Sequence, residues 1–162
     1  SLAEENVNEE IEEIYNYSNE NDCQIILPSD ASVAPKLDPD INFAVKKIDG
    51  LNSSDMILDI GPVSTKDLKE VISNSKTVFW NGPPGVFEVE PFNKATIEIA
   101  NHIAELTSAG KIQSFAGGGD TVAAIEMAGV KEKFTYISTG GGALLELLEG
   151  KQLPGLVSQN IL

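Results

Sequence analysis

The sequence predicts an α/β protein built as a doubly wound parallel sheet with helices on both faces. Three observations lead there. Short, continuous apolar runs recur at residues 56–60, 77–80, 112–116 and 135–138, the pattern of strands buried on both sides. Each run is followed by a stretch whose apolar residues keep three- and four-residue steps, the helical period. Glycines gather just past the ends of the runs, where the chain turns from strand to helix. A chain of 162 residues is long enough for one domain of this kind. Its 41% hydrophobic and 22% charged residues exclude a disordered or collagen-like polymer.

In chain order, residues 4–22 hold eight acidic residues and no basic one, with Val7, Ile11, Ile14 and Tyr15 at helical spacing. This is an acidic amphipathic helix, its charged side read as a solvated face. Gln24-Ile25-Ile26-Leu27-Pro28 is short, apolar and stopped by proline, which marks a buried strand. Residues 31–55, with Pro35, Pro39 and Gly50, read as an irregular excursion with one short strand at Phe43-Ala44-Val45. Met56-Ile57-Leu58-Asp59-Ile60 is the next strand. A helix over residues 65–75 follows, started by Ser64 with Asp67 three residues on, and with Leu68, Val71 and Ile72 on one face. Strand Thr77-Val78-Phe79-Trp80 precedes a long helix through Phe92, Ala95, Ile99, Ile103 and Leu106. Strand Ile112-Gln113-Ser114-Phe115-Ala116 leads into a helix over residues 121–128. Strand Thr135-Tyr136-Ile137-Ser138 leads into one over residues 143–148. The alternation is Rossmann-like and three-layered, with no linker that would mark a second domain and no internal repeat.

Charge narrows the function. Eleven basic residues, all lysine, face 25 acidic ones, for a net charge of −14. Such a surface repels phosphate backbones and anionic lipid, so no nucleic-acid partner and no membrane partner is expected. A phosphate site in this chain must rely on backbone N–H groups, a metal ion or cations from elsewhere. The single Cys23 has no partner for an internal disulfide, which fits a cytoplasmic setting, although an unimportant surface thiol would look the same. The chain starts without Met, as a fragment, a processed product or a tag-cleaved chain would.

Nine of the 14 glycines follow four of the predicted strands: Gly61, then Gly82 and Gly85, then Gly117 to Gly119, then Gly140 to Gly142. In an open parallel sheet the carboxyl ends of the strands are where ligands bind. Gly117-Gly118-Gly119-Asp120-Thr121 and Thr139-Gly140-Gly141-Gly142 open directly into helices, whose first N–H groups and dipole attract anions. Tight turns alone would also need glycine, but four on one rim favour a phosphate-bearing ligand. The pattern is neither G-x-G-x-x-G nor Walker A. Asp120 sits where it would cap its helix, or hold Mg²⁺ beside bound phosphates. Thr121 is placed to bond a phosphate oxygen. Glu88 is either a ribose-diol acceptor or an exposed loop residue. His102, in mid-helix, reads as surface or partly packed. No nucleophile, base and acid set and no His/Cys metal cluster stands out.

Trp80-Asn81-Gly82-Pro83-Pro84-Gly85-Val86-Phe87-Glu88, Gly117-Gly118-Gly119-Asp120-Thr121, Ser138-Thr139-Gly140-Gly141-Gly142-Ala143 and Leu147-Leu148-Glu149-Gly150-Lys151-Gln152-Leu153-Pro154-Gly155 closely resemble the phosphoglycerate kinase family, with support from Ile26-Leu27-Pro28, Asp30 and Leu58-Asp59-Ile60-Gly61-Pro62. The resemblance runs from end to end. It implies that residues 1–162 are part of the C-terminal nucleotide-binding domain of a two-domain kinase, incomplete at its start, with the N-terminal domain outside the chain. It implies an ATP or ADP site with Mg²⁺, and phosphoryl transfer between 1,3-bisphosphoglycerate and ADP in glycolysis. Gly61, Val86 and Phe87 would line the adenosine pocket and Glu88 would bind ribose. Asn81, Gly82 and Pro83 would lie along the phosphates. Gly118, Gly119, Asp120 and Thr121 would hold the terminal phosphates, with Asp120 the metal ligand. Gly140, Gly141 and Gly142 would face the transferred phosphoryl group as the catalytic set. Pro84, where the family has a nonpolar residue other than proline, and Ser29, where it commonly has Val, are small departures. The expected parent is a cytoplasmic monomer whose 3-phosphoglycerate or 1,3-bisphosphoglycerate docks only with the N-terminal domain present, so this chain alone is expected to be inactive. The alternative is a non-catalytic anion-binding or assembly fragment.

Overall fold

The structure, a computed structural model, describes residues 7–140, 142–153 and 158. It is α/β. The elements run α1 (Asn8–Glu20), β1 (Asp30–Ala34), β2 (Ala44–Lys47), β3 (Met56–Ile60), α2 (Pro62–Asn74), β4 (Thr77–Trp80), α3 (Lys94–Ser108), β5 (Gln113–Ala116), α4 (Gly119–Met127), β6 (Tyr136–Ile137) and α5 (Ala143–Leu148). From β3 onward, strand and helix alternate as the periodicity requires, and β4, β5 and β6 form a parallel sheet in that order.

The first half departs from the sequence reading in three ways. Residues 24–28 form no strand: Leu27 is 66% exposed and Ile26 40%. An apolar run becomes a strand only where a neighbour offers a ladder, and no described strand lies beside this one. The chain instead joins a sheet at Asp30, so residues 30–34 are a central strand and not part of an irregular excursion. The short strand expected near Phe43 is present as β2. Finally, β1 pairs antiparallel with both β2 and β3, so these three strands form a separate sheet beside the parallel one.

The helices also begin differently. α2 starts at Pro62, not Thr65, because proline's fixed φ suits the first helical position and because its cap comes from β1. The buried Asp30 carboxylate accepts N–H bonds from Val63 (3.1 Å) and Ser64 (2.8 Å), and Ser64 Oγ donates to it at 2.6 Å. Ser64 is therefore buried inside the first turn and is not the cap. α3 has no side-chain bond from its own cap position, Asn93. The buried Asp59, on β3, accepts the Ala95 N–H at 3.0 Å in its place.

One core joins Ile72, Trp80, Ile99, Ile103, Ile125 and Phe134, filling the space between the parallel sheet and helices α2, α3 and α4. A smaller one joins Ala34, Leu58 and Phe92. α1 is a helix, as its period indicates, but buries none of its side chains among the described residues. Ile57, Phe79 and Tyr136 stay exposed on the strands, so the covering expected of a doubly wound sheet is partial within this chain.

Because Asp30 satisfies the start of α2 from another element, Asp30→Ala should lower the unfolding free energy by about 2 kcal/mol, and Ser64→Ala by about 1 kcal/mol. Urea denaturation followed by Trp80 fluorescence measures both; unchanged midpoints would mean that the helix needs no outside cap.

Candidate functional site

The ends of β3, β4, β5 and β6 each run into a glycine-bearing turn. Trp80 lies opposite Ala116, and Ala116 opposite Ile137, so the turns of the parallel sheet leave at one level. The ladder extends past the strands: Gly117 N–H donates to the Trp80 carbonyl (3.1 Å) and Ser138 N–H to that of Ala116 (2.8 Å).

Two of these turns close on each other. Gly82 N–H donates to Thr121 Oγ1 at 2.7 Å, while the Trp80 indole N–H donates to the Gly82 carbonyl at 2.8 Å. Gly82 and Gly118 both have φ near +92°, which other residues rarely adopt. A Cβ on Gly118 would also stand 2.7 Å from Asn81 Oδ1. Asn81, Gly82, Gly118 and Thr121 are thus brought into one contact group. Gly118 occupies the cap position of α4 and no side chain caps that helix. Its leading amides, at Gly119, Asp120 and Thr121, therefore head an anion-attracting terminus. Asp120 is the second residue of α4, exposed, and not its cap as the sequence suggested. Glycine at the cap position, with its positive φ, moves the helix start ahead of the acid.

The other candidates lie around this group. Gly61 heads α2, its N–H on the Asp30 carbonyl (2.8 Å), and a side chain there would collide with the Asp30 carboxylate. Pro83 is half-buried and Glu88 exposed. Val86 donates its N–H to the Leu58 carbonyl (2.8 Å) and packs on the smaller core. Phe87 is buried at 6% exposure, within the protein and not on the open rim. Gly140 N–H donates to Ser138 Oγ (3.2 Å), and Gly142 caps the six-residue α5. Gly141 lies outside the described residues. His102 is partly buried, within hydrogen-bond distance of Ser73 Oγ (2.8 Å) and away from the rim.

Asp59 is the buried acid that sequence reasoning passed over as a functional residue. Its signal was there, a lone carboxylate in an apolar strand. It is 2% exposed; Oδ1 accepts the Ile60 N–H at 2.9 Å and Oδ2 the Ala95 N–H. Burial pushes its carboxyl up to about 6 against the pull of those two amides, and the nearby charge of Glu98 adds to the rise. Asp30 goes the other way: burial raises it, but the hydroxyl and amide of Ser64 and the amide of Val63 outweigh that and hold it below the usual range. Among the described residues no group of three His, Cys, Asp or Glu side chains is placed to hold a metal. Asp120 and Glu88 are the exposed carboxylates of the rim turns, so a metal ion there would need oxygens from its ligand as well. No described helix is long and apolar enough to cross a membrane.

Residues 1–151 match the family model described as phosphoglycerate kinase. The chain is 46% identical over 158 residues to the phosphoglycerate kinase of Caulobacter vibrioides, covering 98% of this chain and 40% of the relative. It is 51% identical over 134 residues to that of Rhodopseudomonas palustris, covering 83% and 34%. The solved phosphoglycerate kinase of Coxiella burnetii superposes with a TM-score of 0.86 at 36% identity, over 93% of this chain and 38% of that one. The chain thus spans about 40% of the length of the curated relatives it matches.

The two buried acids give opposite pH dependences. Asp30, held low, adds stability above the ordinary carboxylate range and loses it as pH falls through its folded value. Asp59, held high, is favoured in its protonated form by folding, so its contribution is largest at low pH and is lost as pH rises from about 4 to about 6. A two-unit rise corresponds to about 3 kcal/mol. The stability of Asp59→Asn relative to the wild type should therefore climb across that window and level off above it; a flat difference from pH 4 to 7 would show that Asp59 ionises normally.

Proposed function

The chain belongs to the phosphoglycerate kinase family, and from that membership we propose that residues 1–162 are part of its nucleotide-binding domain and bind ADP or ATP with Mg²⁺ on the glycine rim. The observation that carries this reading is the closure of the Asn81–Gly82 turn onto the start of α4 through the Gly82 to Thr121 bond. It presents the amides of a helix terminus that no side chain caps, which is the donor set a polyphosphate needs. Asn81, Gly82 and Pro83 would follow the phosphates. Gly118, Gly119 and Thr121 would hold their end, and Asp120 would hold the metal together with phosphate oxygens. Glu88, exposed on the same turn, is free to accept from a ribose diol, and Gly61 and Val86 border the space beyond. Phe87 would act from beneath, as packing for that border. When bound, Mg²⁺ supplies charge neutralisation between the carboxylate and the phosphates.

The activity proposed for the full-length protein is phosphoryl transfer between 1,3-bisphosphoglycerate and ADP, a glycolytic reaction of the cytoplasm. Gly140, Gly141 and Gly142 are the proposed neighbours of the moving group. Such transfer depends on positive charge around the equatorial oxygens. None of the eleven lysines lies within residues 81–88, 117–121 or 138–142, and the chain has no arginine. This chain is therefore proposed to bind nucleotide without turning it over, the acidic triose being met by the rest of a monomeric enzyme.

Titration of the chain with Mg-ADP, read by calorimetry and by Trp80 emission, tests the reading. Trp80 is a suitable reporter because its indole N–H is bonded within the turn. Asp120→Ala should weaken Mg-ADP binding at least tenfold and leave the unfolding midpoint nearly unchanged, since Asp120 caps nothing. Equal affinity of the variant would remove Asp120 from the site, and no saturable binding by the wild type would overturn the nucleotide reading. Gly118→Ala should weaken binding as well, and also destabilise the fold by about 1–3 kcal/mol through strain at positive φ; a stable variant with full affinity would free that turn of its role.

A further inference from the structure

We propose that Asp59 is a positioning residue for the rim, its carboxylate holding the segment that follows the Asn81–Glu88 turn against the end of β3 and so fixing that turn over the start of α4. The inference rests on the nucleotide reading only for its effect on ligand affinity; the mechanical part stands on the contacts alone.

The turn is held at two ends. At one end Gly82 is bonded to Thr121. At the other, Gly85 lies directly against Asp59, where a side chain would collide with its carboxylate and with the Phe92 carbonyl. Next to it, Val86 N–H is bonded to the Leu58 carbonyl, one residue before Asp59. The Gly85 N–H points to Thr96 Oγ1 at 3.3 Å, in the first turn of α3, and that same turn hangs from Asp59 through the Ala95 N–H. The carboxylate therefore bonds the end of β3 to the start of α3, and the outgoing limb of the turn packs against it while its own N–H bonds go to Leu58 and Thr96 on those same two elements.

Stability alone does not explain a carboxylate here. Asparagine caps a helix as well as aspartate does and would bury no charge. What asparagine lacks is a second acceptor oxygen. Asp59 uses both, accepting from Ile60 on its own strand and from Ala95 on the helix, and this two-sided grip is the property a positioning role requires.

The charged groups around it are few among the described residues. On α3, Glu98 and Lys94 share with Asp59 the wall of a cavity of about 150 Å³, with Phe43 and Pro91. On α2, Lys69 pairs with Glu98 at 3.7 Å. On β1 the directly opposed residue is the uncharged Ser32, with Asp30 two residues before it in the α2 cap. On β2, Lys46 is paired with Asp55. Protonation of Asp59 should loosen one of its two bonds and release the turn.

The test uses the 162-residue chain, with amide NMR signals of Gly82, Gly85 and Gly118 followed from pH 7.5 to 5 and Mg-ADP affinity measured at both ends. In the wild type the three signals should move together with a midpoint near 6, and affinity should fall about tenfold toward pH 5. Asp59→Asn should abolish the shared midpoint and bind about tenfold more weakly at pH 7.5. Ile103→Val, which loosens the buried face of α3 away from the turn, should lower stability and keep wild-type affinity and midpoint. Signals that ignore pH in the wild type would overturn the proposal, and that experiment needs no variant to fold. So would a midpoint that survives in Asp59→Asn, or wild-type affinity in Asp59→Asn. Signals that follow Asp59 in a chain that binds no Mg-ADP would support the positioning role and overturn the nucleotide reading instead.

Discussion

None of the described α-helices is capped by a side chain at its own cap position, and two of them are completed by a buried aspartate from a strand. Asp30 on β1 serves α2, and Asp59 on β3 serves α3. An unsatisfied helix start buried from water costs as much as several lost hydrogen bonds, so neither helix can settle until its strand is in place. The antiparallel sheet that carries both aspartates is therefore more than an appendage to the parallel one. It fixes where α2 and α3 start, and through them the larger core, in which Ile72, Ile99 and Ile103 pack on the parallel strands.

The rim inherits its order from that arrangement. Its turns leave the parallel sheet level with one another because the register of β4, β5 and β6 holds to their last residues. Yet the Asn81–Glu88 turn also reaches back to β3, through Val86 and Gly85. The same turn thus reads the position of both sheets. Glycine is required at Gly82 and Gly118 by positive φ, and at Gly85 by close approach to a buried carboxylate. These are two different physical demands hidden in one compositional signal.

What the sequence made legible is what local periodicity encodes. The strands from β3 onward, and the buried stripe of α3 through Ala95, Ile99 and Ile103, follow from spacing alone. The family resemblance and the rim glycines were readable for the same reason, as contiguous motifs. Pairings made across 30 or more residues were not. Ser64 and Asp67 looked like a local cap, but the hydroxyl of Ser64 turns to Asp30. Ile25-Ile26-Leu27 had the more strand-like composition, yet the sheet took Asp-Ala-Ser-Val-Ala beside it, whose small residues fit between two antiparallel neighbours and whose leading carboxylate reaches α2. Asp120 was misplaced by two positions because Gly118 adopts a backbone conformation that composition does not announce. Asp59 passed unnoticed since a single acid in a strand has no meaning until its donors are known.

The charge of the chain bears on how such a rim takes an anion at all. At −14 the molecule repels a polyphosphate at long range, and no lysine stands within the turns to reverse that locally. Under the proposed nucleotide reading, attraction would come from oriented amides at the head of α4 and from a divalent ion shared with Asp120. Amide donors act only over a few ångströms and lose their value steeply as distance and angle degrade, and coordination to a metal ion is likewise made only at contact distance. A site with lysines or arginines tolerates some slack, because Coulomb attraction to a full charge falls off slowly. A site built from amides does not. On that proposal, this would be the physical reason for holding the Asn81–Glu88 turn at both ends, by the Gly82 bond to Thr121 at one and by the Val86 bond to Leu58, beside Asp59, at the other, and for keeping a carboxylate buried where the fold alone would be more stable without its charge.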